Sequence, residues 1–182
     1  MEAKTINFYS ATAEFGVFSN FYPSKVVYNG KEYPTSEHAF QAAKFDYPGA
    51  SAASLEYAEL IRKEPSPAKI FFLAKQKDLS GLQWRVELTK TIKKYKSLGV
   101  VLRPNWDSLK VGIMRDILRV KFSLKGKLCD QLLQTDGCTL VEHTSRDKFW
   151  GDGGNGSGKN MLGKLLAEVR QELLDSGEVI VV

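Results

Sequence analysis

The order of apolar and polar positions along the chain predicts five helices. The first follows Thr35, a predicted N-cap, and covers residues 36–45, which contain neither glycine nor proline. A second opens at Ser66-Pro67, and a third, over roughly residues 83–97, is amphipathic and strongly basic. The fourth begins near Asn105 and the last near Asn160. Their apolar positions recur at helical spacing: Trp106, Leu109, Ile113, Ile117 and Val120, then Leu162, Leu165, Leu166, Val169 and Leu173.

Strand signals are shorter and concentrate near the start of the chain. Residues 5–9 form one predicted strand, and residues 25–28 and 31–33 flank Asn29-Gly30, a hairpin signal. Gly177 is predicted to end the last helix, and residues 179–182 to be a tail strand or disordered. The sequence therefore predicts an α+β fold: a mostly helical single domain over residues 1–182 with a small antiparallel sheet.

Composition narrows the class of protein. A chain of 182 residues can bury a core without disulfides or metals. Cys129 and Cys138 make no disulfide framework, and neither a secretory pattern nor an apolar run of membrane-spanning length is present. We therefore expect a cytoplasmic or otherwise intracellular protein without a membrane partner. The two histidines, His38 and His143, have no helical metal partner, so we expect no metal and no cofactor.

Basic residues concentrate in the middle of the chain. Residues 61–130 hold 17 basic and 6 acidic residues, whereas the segments on either side are net acidic. Such a run is usually a solvated helical face. The alternative is a surface for nucleic acid or another polyanion, although no known nucleic-acid-binding motif accompanies it.

One candidate catalytic group begins the first predicted helix. Residues Glu37, Gln41 and Lys44 stand at i, i+4 and i+7, so they are expected on one face. The helix dipole favours an ionised Glu37, which suits a base, a nucleophile or a stabiliser of positive charge. The alternative is that Glu37 merely complements the helix end.

A second candidate group occupies residues 142–154, where acidic, aromatic and glycine residues share a predicted loop. Asp147 and Trp150 lie here, and a tryptophan without an apolar face to fill could stack on a base. Gly153 to Asn160 is close to a phosphate-binding loop but lacks the following Ser or Thr and a preceding buried strand. Its glycines and the next helix start still predict an anion seat.

Several ordered motifs together resemble the NADAR family, also called YbiA-like N-glycosidases, from about Ile6 to Leu174. The matching residues are Phe18-Ser19-Asn20-Phe21, Pro34-Thr35-Ser36-Glu37-His38, Gln41, Lys44, Phe45, Asn105-Trp106, Trp150 to Gly154, Gly158-Lys159-Asn160, Leu162-Gly163 and Arg170. The resemblance implies an α+β fold and N-glycosidase activity. It departs between about residues 46 and 103, where compact bacterial members are shorter.

The resemblance places the family's active-site glutamate at Glu37, its helix tryptophan at Trp106, and its aspartate and loop tryptophan at Asp147 and Trp150. Glu37 is expected to stabilise charge or act as nucleophile, and Asp147 to position water or pass a proton. Both tryptophans are expected to stack on the base. From chemistry alone, we expect the remaining site residues to bind substrate or its phosphate: Asn20, Lys44, Arg146, Gly151 and Asn160. Lys44 could instead form an imine with the opened sugar.

The resemblance implies two substrates: ADP-ribose attached to guanine in nucleic acid, or phosphorylated ribosylamino-pyrimidines of riboflavin synthesis. Each joins an exocyclic amine to C1 of a 5′-phosphorylated ribose. The basic middle region favours ADP-ribosylated nucleic acid. Two alternatives without catalysis remain: a module that binds ADP-ribose or NAD, and a structural DNA-binding protein. The oligomeric state stays open.

Overall fold

The computed structural model describes residues 4–75, 83–123 and 126–176. Gly177 and residues 179–182 lie outside this range. The strands are β1 (Thr5–Phe8), β2 (Val26–Tyr28), β3 (Lys31–Tyr33) and β4 (Thr139–Glu142). The helices are α1 (Ser36–Ala42), α2 (Ala52–Lys63), α3 (Pro67–Lys75), α4 (Gln83–Ser97), α5 (Trp106–Ser123), α6 (Lys127–Leu133) and α7 (Met161–Asp175). The predicted helix-rich α+β class is confirmed.

These elements form two compact units. The terminal unit consists of Met1–Ser24 and Met114–Val182, and the central unit of Lys25–Ile113. The boundary therefore falls within α5. That residues 1–182 make a single domain, with a core from about 6 to 174, stays a prediction.

The central unit begins with the predicted hairpin. β2 and β3 are antiparallel, and Asn29 and Gly30 between them have φ of 48° and 73°. Two successive positive φ values are the requirement of the tight turn that Asn-Gly favours. Thr35 then caps α1, as predicted, by accepting a hydrogen bond from the backbone N–H of His38.

Helix α2 was not predicted, although it anchors the core of the central unit. Ser51 caps it, and Ser54, Tyr57, Ala58 and Ile61 form its buried stripe. The Tyr57 ring lies 4.9 Å from the ring of Phe45 and 5.0 Å from that of Tyr95. Its hydroxyl donates to the Leu73 carbonyl oxygen at 2.8 Å. One side chain of α2 thus packs against both α3 and α4.

The terminal unit contains a strand pair that was not predicted. β1 is parallel to β4, with buried Ile6 opposite buried Leu140. The predicted small antiparallel sheet is confirmed by β2 and β3, whereas the parallel pairing of β1 with β4 is an additional feature. Parallel strands need a long crossover connection, and this pair is separated by most of the chain, so local sequence gives no signal for it.

The buried face of α5 also differs from the prediction. Leu109 is 40% exposed, whereas the buried positions are Ile113, Met114, Ile117, Leu118, Lys121 and Phe122. These positions still follow helical spacing, with the stripe shifted around the helix. The first predicted helix is shorter than expected, because α1 ends at Ala42 instead of residue 45.

Candidate active site

Helix α1 is fixed at its start by a fully buried histidine. His38 Nε2 lies 2.8 Å from the Glu64 carbonyl oxygen, and Nδ1 lies 2.8 Å from Thr35 Oγ1. Because a carbonyl oxygen only accepts, Nε2 carries the hydrogen and Nδ1 accepts from the threonine hydroxyl. Burial lowers the pKa of His38. His38 is therefore a neutral structural residue, and its hydrogen bonds fix the first turn of α1, which carries Glu37.

Glu37 and Gln41 are both buried on α1, with exposures of 6% and 4%. Gln41 Nε2 donates a 2.7 Å hydrogen bond to Glu37 Oε1. The predicted shared face is thus confirmed for this pair. The carboxylate lies in the first helical turn, where backbone N–H groups favour negative charge. A buried carboxylate with a fixed orientation is suited to stabilising positive charge that develops on a substrate.

Lys44 lies just beyond α1, beside two aromatic rings that contact each other. Its Nζ is 5.8 Å from the Phe40 ring centroid and 5.5 Å from that of Trp106, and the two rings are 5.0 Å apart. The Arg103 N–H donates to the Lys44 carbonyl oxygen at 2.7 Å, which ties the segment before Trp106 to Lys44. Trp106 thereby lies beside the end of α1.

The environment of Lys44 changes its proton affinity. Burial lowers the pKa of Lys44 to about 8, although attraction to Glu37 acts in the opposite direction. The ammonium is therefore close to the neutral range at which it can exchange protons. In the central unit, the structure brings together three predicted site residues: Glu37, Lys44 and Trp106.

The other six predicted site residues belong to the terminal unit: Asn20, Arg146, Asp147, Trp150, Gly151 and Asn160. Asp147 Oδ1 accepts hydrogen bonds from the backbone N–H groups of Phe149, at 2.7 Å, and Trp150, at 2.8 Å. The Trp150 ring meets the Phe149 ring edge-on, with centroids 5.1 Å apart. Asp147 thus orients the segment that carries Trp150.

The loop around these residues is organised by Asp152, which the sequence reasoning missed. Its Oδ1 accepts from the backbone N–H groups of Thr144 and Gly154, and its Oδ2 lies 2.8 Å from His143 Nδ1. The Gly154 N–H and then His143 lower the pKa of Asp152. The signal available in the sequence was an aspartate followed by two glycines, both of which have positive φ.

Gly151 and Asn160 make contacts within the loop and its neighbouring strand. A Cβ at Gly151 would lie 2.6 Å from Thr144 Cγ2 and 2.9 Å from the Glu142 carbonyl oxygen. Asn160 Oδ1 accepts from the Glu142 N–H, and its Nδ2 donates to the Leu140 carbonyl oxygen. Close backbone packing explains the glycine, and the asparagine side chain bonds both its polar atoms to β4.

The anion seat predicted at the start of α7 is wrong. The N–H groups of Met161 and Leu162 donate to the carbonyl oxygens of Phe149 and Trp150, each at 3.1 Å. These helix-start donors are the ones that an anion would use. The loop's own backbone occupies them instead.

Arg146 and Asn20 complete the predicted set. Arg146 is exposed and forms no ion pair within the described part of the chain. Asn20 is buried, at 8% exposure, and its Oδ1 has no hydrogen-bond partner among the described residues. Within residues 4–75, 83–123 and 126–176, no group of three or more His, Cys, Asp or Glu side chains could hold a metal ion. The helices described there are too short or too polar to span a bilayer.

The chain is similar to known proteins over nearly its whole length. The NADAR domain family model matches residues 7–174. The N-glycosidase YbiA of Shigella boydii is 39% identical over 173 residues, which cover 95% of this chain and 91% of the relative. The riboflavin biosynthesis protein VVA0006 of Vibrio vulnificus is 34% identical over 168 residues, 92% of this chain but 38% of the relative. The NMR structure of the Escherichia coli protein YbiA superposes with a TM-score of 0.71 at 37% identity, covering 100% of this chain and 92% of that one. The chain therefore belongs to the NADAR family.

Proposed function

We propose that the chain is an N-glycosidase that hydrolyses the bond between an exocyclic amine of a guanine-like base and C1 of a 5′-phosphorylated ribose. The observation that carries this proposal is the buried Glu37 carboxylate, fixed by Gln41 and accompanied by Lys44 and Trp106. A carboxylate, an amine and an aromatic ring supply charge stabilisation, anion contact and base stacking. The relatives named N-glycosidases support the reaction class.

Glu37 acts on the developing charge. As the N-ribosyl bond breaks, positive charge builds on C1 and the ring oxygen, as in glycoside hydrolysis. An ionised carboxylate stabilises that charge most strongly where water is excluded, and Glu37 is 6% exposed. The hydrogen bond from Gln41 fixes the carboxylate before the reaction begins. We assign Glu37 this stabilising role, or that of the nucleophile.

Asp147 is assigned the second carboxylate role, to position water or transfer a proton. Its Oδ1 is held by two backbone N–H groups, while its Oδ2 forms no hydrogen bond with any described residue. Oδ2 is therefore the atom that bonds water or the leaving nitrogen. General acid–base help of this kind is typically worth about 10²- to 10⁴-fold in rate.

The remaining residues hold the substrate. Trp106 and Trp150 stack on the base, and the charged side chains of Lys44 and Arg146 bind phosphate. Imine formation by Lys44 is the alternative role for that residue. Gly151 and Asn160 contribute by shaping the loop, because their contacts are internal.

The substrate class that we propose is ADP-ribose on guanine in nucleic acid. Helix α4 buries Leu88, Ile92 and Tyr95, and it exposes four lysines: Lys90, Lys93, Lys94 and Lys96. A row of exposed ammonium groups provides contacts to a phosphate backbone. The second candidate, a phosphorylated ribosylamino-pyrimidine, is favoured by the similarity to a protein named for riboflavin biosynthesis.

Salt dependence separates these substrates. The protein is incubated with a guanine-ADP-ribosylated oligonucleotide and with the phosphorylated ribosylamino-pyrimidine, each at 50 and 200 mM salt. We expect steeply salt-sensitive release of ADP-ribose from the oligonucleotide. In the Lys93→Gln/Lys94→Gln variant, each lost phosphate contact should reduce the log–log salt slope by roughly 0.7–0.9.

The Lys164→Gln variant, altered at an exposed lysine of α7, is the matched control and should keep the wild-type slope. Salt-insensitive turnover of the pyrimidine alone would support the second candidate. Tight binding of ADP-ribose without product after long incubation would contradict catalysis and identify a binding module.

A further inference from the structure

A lysine that was not predicted as functional is buried in the terminal unit. Lys121 of α5 is 4% exposed, and its Nζ donates a 2.9 Å hydrogen bond to the Ser19 carbonyl oxygen. The ammonium lies 5.8 Å from the Tyr22 ring centroid and 5.2 Å from that of Phe122. No carboxylate pairs with it among the residues that the structure describes. Lys121 is thus a buried lysine without an acidic partner in the described ranges.

Such a residue destabilises the fold that contains it. Removing an ammonium from water is costly, and one carbonyl with two aromatic rings compensates for it only in part. Burial lowers the pKa of Lys121 to about 7, which reflects this cost. An apolar side chain of similar length would fill the same space without it. The lysine therefore calls for an explanation other than stability.

Its hydrogen-bond partner belongs to a tight turn. The Ser19 carbonyl oxygen also accepts from the Tyr22 N–H at 3.2 Å, and Ser19 Oγ accepts from the Phe21 N–H at 3.3 Å. Asn20 is the second residue of this turn. Its side chain is buried, and its Oδ1 accepts no hydrogen bond from the part of the chain that the structure describes. Lys121 therefore bonds the backbone immediately before a carboxamide whose own hydrogen bonding is incomplete.

We propose that Lys121 is a positioning residue that fixes the Ser19–Tyr22 turn so that the Asn20 carboxamide binds the ribose of the substrate. The unpartnered atom of Asn20 is an acceptor, and its complement is an O–H or N–H hydrogen. Ribose hydroxyls carry such hydrogens, whereas phosphate oxygens act as acceptors. The Oδ1 atom of Asn20 is thus assigned to sugar recognition. The inference rests on the proposed N-glycosidase function.

Four variants test it: Asn20→Ala, Lys121→Met, the double variant, and the control Lys164→Met at an exposed lysine. Lys121→Met should melt at the wild-type temperature or higher, because it removes a buried charge. Its kcat/KM should nevertheless fall by about 10- to 100-fold, as expected when a binding group is displaced. The double variant should be no less active than Asn20→Ala alone, because Lys121 acts through Asn20. Lys164→Met should resemble the wild type in both measurements.

Three results would overturn the proposal. A lower melting temperature for Lys121→Met would make the lysine a structural residue. A wild-type kcat/KM in Lys121→Met would show that the lysine has no positioning role. Additive losses in the double variant would show that Lys121 does not act through Asn20. ADP-ribose affinity, measured by calorimetry, gives a readout that needs no turnover.

These measurements distinguish a failure of the proposed N-glycosidase function from a failure of the positioning role of Lys121. If the wild type hydrolyses neither substrate, the proposed function is wrong. Parallel losses of ADP-ribose affinity in Asn20→Ala and Lys121→Met would still support the positioning role. Unchanged affinity in Lys121→Met would overturn it.

Discussion

Gln41 donates a 2.7 Å hydrogen bond from its side-chain amide to Oε1 of Glu37, one helical turn away on α1. The bond orients a buried carboxylate without neutralising it, because an amide carries no charge. An ionised Glu37 that is oriented in this way suits the positive charge of a developing oxocarbenium ion. A lysine at position 41 would instead form a buried ion pair and weaken that effect.

The pH dependence of activity should identify the role of Lys44. The pKa of about 8 means that Lys44 is charged below this pH and neutral above it. If its ammonium binds phosphate, kcat/KM falls as the pH rises through 8, and Lys44→Met is less active but lacks this decline. An increase of kcat/KM through pH 8 would contradict phosphate binding and support the imine, because imine formation needs the neutral amine.

The lowered pKa of Lys44 also predicts that the stability of the wild type relative to Lys44→Met depends on pH. The unfolded chain holds this proton up to its ordinary pKa of 10.5, and the folded chain only up to about 8. Between these values the unfolded state binds more protons, so the stability of the wild type relative to Lys44→Met should rise with pH. Melting curves of both proteins at pH 7.5 and 10 measure this. A constant difference would show that folding does not perturb the pKa of Lys44.

Two substitutions of Asp152 should lower the melting temperature by different amounts. Asn retains the Oδ1 acceptor used by Thr144 and Gly154, whereas Ala leaves both N–H groups unsatisfied. We therefore expect Asp152→Ala to lower the melting temperature more than Asp152→Asn. Because its folded pKa is below the ordinary 3.8, the carboxylate stabilises above that pH and this effect is lost as the pH falls through the folded pKa. Equal melting temperatures for both variants would contradict the assigned contacts.

Two glycines in helices allow the effect of an added Cβ atom on stability to be compared, one in a tightly packed position and one in open space. A Cβ at Gly163 of α7 would lie 2.1 Å from the Leu140 carbonyl oxygen, whereas one at Gly112 of α5 would meet nothing within 4 Å. Gly163→Ala should reduce the free energy of unfolding by about 1–3 kcal/mol through overpacking. Gly112→Ala should raise it by about 0.5–1 kcal/mol through helix propensity. Denaturant unfolding measures both, and a neutral Gly163→Ala would contradict the close approach of α7 to β4.

Local signals in the sequence predicted the elements that depend on local physics. The Asn29-Gly30 turn and the Thr35 cap follow from backbone geometry within four residues. The pairing of β1 with β4 was missed because it joins strands at opposite ends of the chain. The buried side of α5 was misassigned because Leu109 continues the apolar spacing but is exposed.

The same distinction applies to the site. The i, i+4 relationship predicted from the sequence that Glu37 and Gln41 share one helix face, and in the structure they form a hydrogen bond. Lys121 could not be recognised, because burial of a lysine arises from packing. Asp152 had a signal in the two glycines that follow it, but the backbone donors around its carboxylate arise only in the folded loop. The glycine loop misled the anion prediction, since the carbonyl oxygens of Phe149 and Trp150 use the helix-start donors.

The central claim is that Glu37 provides the charge that breaks the N-ribosyl bond. The most direct measurement is single-turnover release of ADP-ribose from the guanine-modified oligonucleotide, and of free base from the pyrimidine substrate, by Glu37→Gln. Glu14→Gln, altered at an exposed glutamate, is the control. We expect Glu37→Gln to melt like the wild type and to lose about 10²-fold or more in rate on whichever substrate the wild type cleaves. A normally folded Glu37→Gln protein with the wild-type rate would contradict the account.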